Sequence, residues 1–217
     1  FRFGYSLVMT KPSIILIGAG GHARSCIDVI EQQGYFQIAG LVGLPEQLQT
    51  RHLGYDVIGT DSDLPELAKT YQYALITIGQ IQTADHRISL YQQACQHGFQ
   101  LPVIIAPTAH VSRHANLGAG SIIMHRAIVN VGARVGHNCI INTSALIEHD
   151  AAVEDHCHIS TGAILNGDVT VGAGSFVGSG CVIKEGIAIG KLCLVGMGLT
   201  VRNNLSDRAR LTDHDKT

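Results

Sequence analysis

A hydrophobic repeat with a period of six residues runs through the second half of the chain. Every sixth position from Ile105 to Val201 holds Ile, Leu or Val, and two positions earlier there is usually Ala, Ser or Cys. A period of six matches neither the 3.6-residue turn of an α-helix nor the two-residue alternation of a strand. It predicts a parallel β-helix in which each short side contributes one aliphatic residue to a central stack and three sides make an 18-residue triangular coil.

Glycines and cysteines of the repeat have structural explanations in this register. Several glycines directly follow the aliphatic residue, which predicts tight corners without a Cβ clash; they are Gly118, Gly136, Gly172, Gly178, Gly190 and Gly196. Four cysteines fall on the small inward position as compact apolar fillers, and we expect them to be reduced thiols; they are Cys139, Cys157, Cys181 and Cys193. Cys26 and Cys95 lie outside the repeat, and the pattern assigns them no role.

The first hundred residues show a different pattern, in which apolar runs alternate with amphipathic stretches. Residues 13–33 read as a buried strand, a glycine turn and a helix, followed by a strand, a strand and helix, and another strand and helix. This order predicts a small α/β domain with a parallel sheet. We therefore expect an α/β, Rossmann-like domain at 12–103, an all-β domain of hexapeptide coils at 104–203 and a polar C-terminal tail at 204–217.

The glycine turn of the first domain is a candidate phosphate site. Gly18, Gly20 and Ala23 satisfy the G-x-G-x-x-G/A pattern, which lets backbone amides and a helix N-terminus approach phosphates. An NAD-linked enzyme would place an Asp or Glu at the end of the second strand, but residues 36–45 contain neither. The small domain suits a mononucleotide or a nucleotide sugar better. The alternative is a turn that binds nothing, with glycines that serve only close strand–helix packing.

Composition and charge exclude several classes of partner. The chain has 217 residues and a net charge of -2, and its Lys and Arg residues are scattered, so we expect no nucleic-acid partner. No apolar run reaches the roughly 18 to 20 residues that span a bilayer, and no signal-peptide pattern begins the chain, so we expect a cytoplasmic protein without a membrane span. Met9 looks like a natural start, with residues 1–8 as an upstream addition.

The unbroken repeat resembles that of the left-handed β-helix acyltransferases. With GAGGHA at residues 18–23 and NTSALIEHD at residues 142–150, the chain closely resembles the sialic-acid and nucleotide-sugar acetyltransferase family over about residues 12–202. The resemblance implies a left-handed β-helix, a homotrimer, acetyl-CoA as cosubstrate and a nucleotide-sugar acceptor. It implies N-acetylation of the 4-amino group of a UDP-linked 4-amino-4,6-dideoxy sugar for surface glycan synthesis. O-acetylation of sialic acid and a non-catalytic nucleotide-binding scaffold are the alternatives.

The polar stretch at residues 142–160 contains the candidate catalytic residues. A histidine suits a general base because its unperturbed pKa of about 6.5 lets it take a proton near neutrality. By resemblance, His149 occupies the position of the base and Asp150 that of the carboxylate that orients it. Asn142 matches a residue on the acceptor side. The resemblance assigns His158, Ser160, Gly167, Gly178, Gly196 and Gly198 to acetyl-CoA, and Gly18, Gly20, Gly21 and His22 to the nucleotide phosphates.

A metal site is the rival interpretation of the same stretch. A catalytic zinc needs three ligands that converge at about 2.0–2.3 Å. The register turns Cys157 inward, away from His156 and His158, and the histidine spacings give no clean ligand set, so we expect no metal and disfavour a β-helical carbonic anhydrase. Outward histidines are usually polar surface residues, and we prefer that interpretation for His125, His137 and His156.

The chain departs from the family pattern in several places. The segment LVGLPEQ, residues 41–47, stands where acidic residues that meet the uridine are common, which leaves the base and ribose contacts unassigned. Gly79 and Gln80 replace a common Gly-Asn pair, and Met197 sits between two glycines where a small residue is typical. The C-terminal segment also lacks the Gly-x-Pro-Ala motif that usually ends the family's sequences. The family's contacts between the final coil and coenzyme A are therefore not assigned to residues of this chain.

Overall fold

The computed structural model describes residues 11–212, in which an α/β domain is followed by a β-helix. Residues 1–10, with the expected start at Met9, and residues 213–217 lie outside the described range. The N-terminal elements are β1 (Ser13–Ile17), α1 (Gly21–Gln33), β2 (Gln37–Val42), β3 (Arg51–His52), β4 (Tyr55–Gly59), α2 (Leu64–Thr70), β5 (Tyr73–Ile76) and α3 (Asp85–Gln96). None of the helices in the described part of the chain has the length and apolar character that a membrane span requires.

The N-terminal sheet is buried on both faces. Its strand order is β3-β4-β2-β1-β5, and every pairing is parallel except that of β3 with β4. Ile14 and Leu16 of β1 pack with α1, whereas Ile15 and Ile17 pack with side chains of α2 and α3. A strand covered on both faces reads as a continuous apolar run, as β1 does. The predicted α/β domain with a parallel sheet is confirmed.

The second domain is a three-sided parallel β-helix with one two-residue strand per side of each coil. Side 1 comprises β7 (His110–Val111), β10 (Ile128–Val129), β13 (Leu146–Ile147), β16 (Ile164–Leu165), β19 (Val182–Ile183) and β22 (Thr200–Val201). Side 2 comprises β8 (Asn116–Leu117), β11 (Arg134–Val135), β14 (Ala152–Val153), β17 (Thr170–Val171) and β20 (Ala188–Ile189). Side 3 comprises β6 (Ile104–Ile105), β9 (Ile122–Ile123), β12 (Ile140–Ile141), β15 (His158–Ile159), β18 (Phe176–Val177), β21 (Leu194–Val195) and β23 (Arg210–Leu211).

The interior of the β-helix follows the predicted register. Ile128 pairs with Leu146, one coil of 18 residues further on, as the sequence predicted. The second residue of each strand lies in a central apolar cluster together with the small residues two positions before it. The four cysteines of the repeat belong to this cluster, and the Cys157 thiol, for example, donates to the Gly172 carbonyl at 3.2 Å. The Cys181 thiol donates to the Gly196 carbonyl at 2.8 Å, and the other five cysteines are free thiols.

The corners of the coil lie elsewhere than the glycine pattern predicted. Left-handed backbone falls three residues after the aliphatic position, as at Gly120 (φ 73°) and Asp150 (φ 60°), and not at the glycine that follows it directly. That glycine is required by close packing between coils: a Cβ on Gly172 would lie 2.6 Å from backbone atoms of Gly190 and Lys191. The predicted avoidance of a Cβ clash is therefore correct, but the predicted corner is not.

The β-helix extends beyond the boundary that the sequence predicted at residue 203. Leu205 forms a bridge with Ile189, and β23 pairs with β21. The sequence pattern did not predict this last partial coil, because Leu205 comes four residues after Val201 and so breaks the six-residue spacing. Leu205 and Leu211 instead pack against the end of the central stack.

The N-terminal domain covers side 3 of the β-helix. Outward residues of this side, including Ile104, Ile122 and Ile140, are buried in a cluster with side chains of β1 and α1. Most outward residues of sides 1 and 2 are half-buried or exposed. Hydrogen bonds also join the two domains, since Arg87 donates from Nε to the Asn138 carbonyl at 3.2 Å. One side of the prism is thus closed by the first domain and two are left open.

Candidate active site

His149 lies on the edge between sides 1 and 2, in the turn from β13 to β14. Its side chain is 59% exposed, and Nδ1 is 3.0 Å from Asp150 Oδ2. A carboxylate accepts, so Nδ1–H donates and the Nε2 lone pair is left available. The hydrogen bond to Asp150 raises the pKa of His149 above its ordinary value, and the charges of Glu148 and Asp168 act in the same direction. The imidazole is therefore oriented and made more basic.

Neighbouring residues hold the turn that carries this pair. The left-handed backbone at Asp150 places its N–H against the Val131 carbonyl, at 3.1 Å. Glu148 Oε2 accepts from the backbone N–H of His149 at 3.1 Å and from Asn130 Nδ2 at 3.0 Å. These bonds position the backbone on both sides of the imidazole without using its ring atoms.

The imidazole lies against Gly167 in an open cavity of about 620 Å³. A Cβ on Gly167 would be 2.7 Å from both Nε2 and Cε1 of His149. The Gly167 N–H meets no hydrogen-bond acceptor among residues 11–212. The cavity is lined by Glu148, His149, Asn166, Gly167, Asp168, Glu185 and Gly186. A base beside a free backbone N–H is the arrangement that acyl transfer requires, because the oxyanion needs a donor.

His158 and Asn142 form a second, buried group under the N-terminal domain. The Gln80 carbonyl can only accept, so His158 donates to it from Nδ1 at 2.8 Å. Burial lowers the pKa of His158 to about 4, so its Nε2 is an acceptor, and Asn142 Nδ2 donates to it at 3.1 Å. Asn142 Oδ1 accepts in turn from the Thr143 N–H at 2.8 Å. The chain of bonds determines both the histidine tautomer and the orientation of the amide.

Most residues assigned to acetyl-CoA lie near this group and not near His149. Asn142, Ser160, Gly178 and Gly196 each follow a strand of side 3 and occupy one position in successive coils. The Ser160 hydroxyl contacts the Ser179 hydroxyl at 2.9 Å. Gly198 takes the left-handed corner conformation of the same edge, with φ 69°. The structure thus separates the predicted site into two groups. Of the residues assigned to acetyl-CoA, Gly167 is the one that lies beside His149.

The glycine turn lies next to a cavity of about 210 Å³ at the carboxyl ends of the strands. Gly18 has φ 125°, and a Cβ there would be 2.5 Å from Ile78 Cγ2. A Cβ on Gly20 or Gly21 would meet no atom within 4 Å, so space is open above the turn. His22 Nε2 is buried without a hydrogen-bond partner among the described residues, and burial lowers the pKa of His22 to about 3.

Two of the three histidines interpreted as surface residues contribute to the domain interface. His125 lies 3.0 Å from Asp28 of α1 through Nε2 and 2.8 Å from Thr108 through Nδ1. His156 packs edge-on against Tyr91, and its carbonyl accepts from Gln80 Nε2 at 2.7 Å. The surface interpretation is therefore wrong for these two. No signal in the sequence pointed to their roles at the interface, because the partners in the N-terminal domain, Asp28, Gln80 and Tyr91, come from distant segments.

The polar stretch does not gather metal ligands. Cys157 lies in the central stack, while His156 and His158 lie at the interface with the N-terminal domain. Within residues 11–212, no three His, Cys, Asp or Glu side chains are grouped so as to hold a metal ion. The polar residues of the stretch divide between the exposed edge of His149 and the buried interface.

Comparison with known proteins relates both domains to sugar acetyltransferases. The PglD N-terminal domain matches residues 13–93, and the hexapeptide repeat of succinyl-transferase matches residues 168–202. Perosamine N-acetyltransferase from Caulobacter crescentus, solved as a histidine mutant with CoA and GDP-perosamine, is 33% identical over 90% of both chains, with a TM-score of 0.84. The acetyltransferase domain of PglB from Neisseria gonorrhoeae, solved with acetyl coenzyme A, is 29% identical over 91% of this chain and 94% of that chain, with a TM-score of 0.83.

A third structure, WeeI from Acinetobacter baumannii, is 21% identical with a TM-score of 0.77 and shares the fold. A search of curated proteins finds no match. The likeness to the Caulobacter enzyme over nine-tenths of both chains confirms the left-handed β-helix and acetyl-CoA as cosubstrate. The chain therefore belongs to the family of acetyl-CoA-dependent sugar N-acetyltransferases that join a PglD-type N-terminal domain to a left-handed β-helix of hexapeptide repeats.

Proposed function

We propose that the protein transfers the acetyl group of acetyl-CoA to the 4-amino group of a nucleotide-linked 4-amino-4,6-dideoxy sugar, with His149 as general base. The observation that carries the proposal is the His149 imidazole, held by Asp150 at Nδ1 and resting through Nε2 against Gly167. Relatives solved with CoA and GDP-perosamine and with acetyl coenzyme A support the substrate classes. A cytoplasmic location and a role in surface glycan synthesis stay part of the proposal.

The proposed reaction uses the atoms that the cavity presents. The amine nitrogen attacks the thioester carbonyl and loses a proton to His149 Nε2, and Asp150 stabilises the imidazolium. The Gly167 N–H donates to the oxyanion. Collapse of the tetrahedral intermediate breaks the carbon–sulfur bond, and the leaving thiolate takes the proton from the imidazolium. The products are the N-acetyl sugar and free coenzyme A.

The charge of the cavity favours an amine over sialic acid as acceptor. Four carboxylates line it or adjoin His149, and they are Glu148, Asp150, Asp168 and Glu185. A protonated amino sugar is attracted by this field, whereas sialic acid carries a carboxylate of its own and is repelled. The attacking form is the neutral amine, so the bound ammonium group first loses a proton to solvent, and His149 takes the second proton during attack.

A homotrimer would complete the site. The edge that carries His149 is opposite side 3, which the N-terminal domain of the same chain covers, so His149 and the Asn142 group lie on different edges. Rotation about a threefold axis would place the His149 edge of one subunit against the Asn142 edge of the next. Val131, one coil from His149, is apolar and 50% exposed, which suits a subunit contact.

Subunit mixing tests this assembly. We expect His149→Ala and Asn142→Ala to be inactive alone, and a dissociated and reassembled equal mixture to recover about a quarter of wild-type activity, because one site in four receives both intact residues. A mixture that stays inactive, although mass measurement shows trimers, would place both residues in one subunit's site and contradict the shared arrangement.

Thiol release from acetyl-CoA tests the reaction itself. The acceptors are a UDP-4-amino sugar, GDP-perosamine, CMP-sialic acid and free sialic acid. We expect turnover with an amino sugar and none with either sialic acid, because of the acidic cavity. Turnover with sialic acid would support the O-acetyltransferase alternative. Binding of nucleotide and CoA without thiol release from any acceptor would support the non-catalytic scaffold.

A further inference from the structure

The cavity beside the glycine turn is lined by a carboxylate that comes from a different strand than the dinucleotide-binding pattern predicts. No Asp or Glu follows β2 directly, yet Asp61, from the turn after β4, lines the cavity together with Gly18 and Gly20. The reason is topological: β4 is the neighbour of β2, so its carboxyl end opens at the same edge of the sheet.

The remaining walls fit a flat aromatic base. The apolar lining comes from Val42, Leu44, Ile78 and Leu90. The cavity has a volume of about 210 Å³ and is partly open, so a base can enter it while the sugar and phosphates stay outside. Phosphates would then lie outside it, over the open space at Gly20, where the amides of the glycine turn are placed to receive them.

Of the two side chains whose oxygen atoms could accept hydrogen bonds from a ligand in this cavity, Gln47 and Asp61, Asp61 has the unused acceptor atoms. Gln47 also lines it, but its Oε1 accepts from the Leu44 N–H at 2.9 Å and its Nε2 donates to the Ala19 carbonyl at 3.4 Å. The half-buried Asp61 carboxylate has no hydrogen-bond donor among residues 11–212. Burial raises the pKa of Asp61 above its ordinary value, and the nearby His86 offsets only part of that rise. A carboxylate partly removed from water favours a ligand that brings donors.

The pattern of donors differs between the two candidate bases. Guanine presents N1–H and the N2 amino group side by side, and the two oxygens of a carboxylate accept from both. Uracil has one ring donor, N3–H, flanked by two carbonyls, so the second carboxylate oxygen would face a carbonyl and be repelled. His86 lines the same cavity and offers an N–H for the guanine carbonyl.

We propose that Asp61 reads the base of the nucleotide and selects guanine over uracil, so that the acceptor is a GDP-linked amino sugar. The inference rests on the proposed function and replaces the uridine that the sequence resemblance implied. It also accounts for the absence of Asp and Glu from residues 36–45, because the carboxylate comes from the turn after the neighbouring strand of the sheet.

Calorimetric binding of nucleoside diphosphates to the full chain tests the assignment. The probes are GDP, XDP, UDP and 2′-deoxy-GDP, and the proteins are wild type, Asp61→Asn and the control Glu66→Gln, an exposed carboxylate paired with Lys69. We expect wild type and the control to bind GDP about 10- to 100-fold more tightly than UDP, and 2′-deoxy-GDP as tightly as GDP. Asp61→Asn should reverse the order of GDP and XDP, because an amide offers one donor to the xanthine O2 and one acceptor to N1–H.

The outcomes separate the inference from the function on which it rests. Equal wild-type affinity for UDP and GDP would overturn guanine selection and leave the proposed function intact. Weaker wild-type binding of 2′-deoxy-GDP, with an equal loss for every nucleotide in Asp61→Asn, would assign the carboxylate to the ribose and also overturn the inference. If no diphosphate binds to wild type at all, the nucleotide-sugar acceptor itself fails.

Discussion

Replacing His149 with alanine is expected to lower kcat by about 10²- to 10⁴-fold, the usual contribution of a general base. Binding of acetyl-CoA and of nucleotide should stay within about twofold, because the side chain is exposed and, among residues 11–212, its hydrogen bond is with the adjacent Asp150 and not with the core. Thiol release gives the rate, and calorimetry with each ligand gives the two dissociation constants.

His137→Ala is the matched control, since His137 is an exposed histidine on the same β-helix and does not line the cavity. Its activity should equal that of wild type. If His149→Ala also keeps wild-type kcat, the base is another group and the proposed mechanism is wrong.

The dependence of kcat/KM on pH tests independently whether His149 is the general base. The base works when neutral, so activity rises as pH increases through the pKa of His149, which Asp150 raises. Asp150→Asn removes that carboxylate and should move this inflection to lower pH. An inflection that stays in place in Asp150→Asn would mean that another group titrates.

Gly167→Ala should reduce kcat by about 10²-fold, the scale expected when a catalytic group is displaced by about 1 Å. The new methyl group would occupy space 2.7 Å from His149 Nε2 and Cε1, so the imidazole must move away from the position where it meets the amine. Gly167 has no left-handed φ, so alanine fits the backbone. Thermal unfolding of the variant should therefore stay close to that of wild type, while the thiol-release rate falls.

The double variant His149→Ala with Gly167→Ala shows whether the methyl group acts through the imidazole. If it does, the double variant is no slower than His149→Ala alone, because the displaced group is already absent. Additive losses would instead indicate that the methyl group disturbs the backbone donor or the thioester directly.

Much of the fold follows from local patterns in the chain. The six-residue spacing specified the coil length and the inward residues of each side, since an aliphatic residue must face the stack wherever the backbone returns to the same side. The order of apolar and amphipathic stretches specified the α/β domain. The contact of His149 with Asp150 could also be predicted from the sequence, because the two residues are adjacent in a tight turn and meet without contacts from distant segments.

What the sequence by itself determined is therefore the two domains, their inward residues and the His149–Asp150 pair; only the tertiary structure decided which outward residues are buried. His158 and Asn142 face outward from the β-helix, yet side 3 is closed by a domain whose contacts, such as Gln80 with His158, join segments far apart in the chain. Asp61 lines the cavity beside the glycine turn because β4 lies beside β2. Periodicity reports which way a side chain points relative to its own coil, whereas docking and strand order depend on the summed packing of distant surfaces.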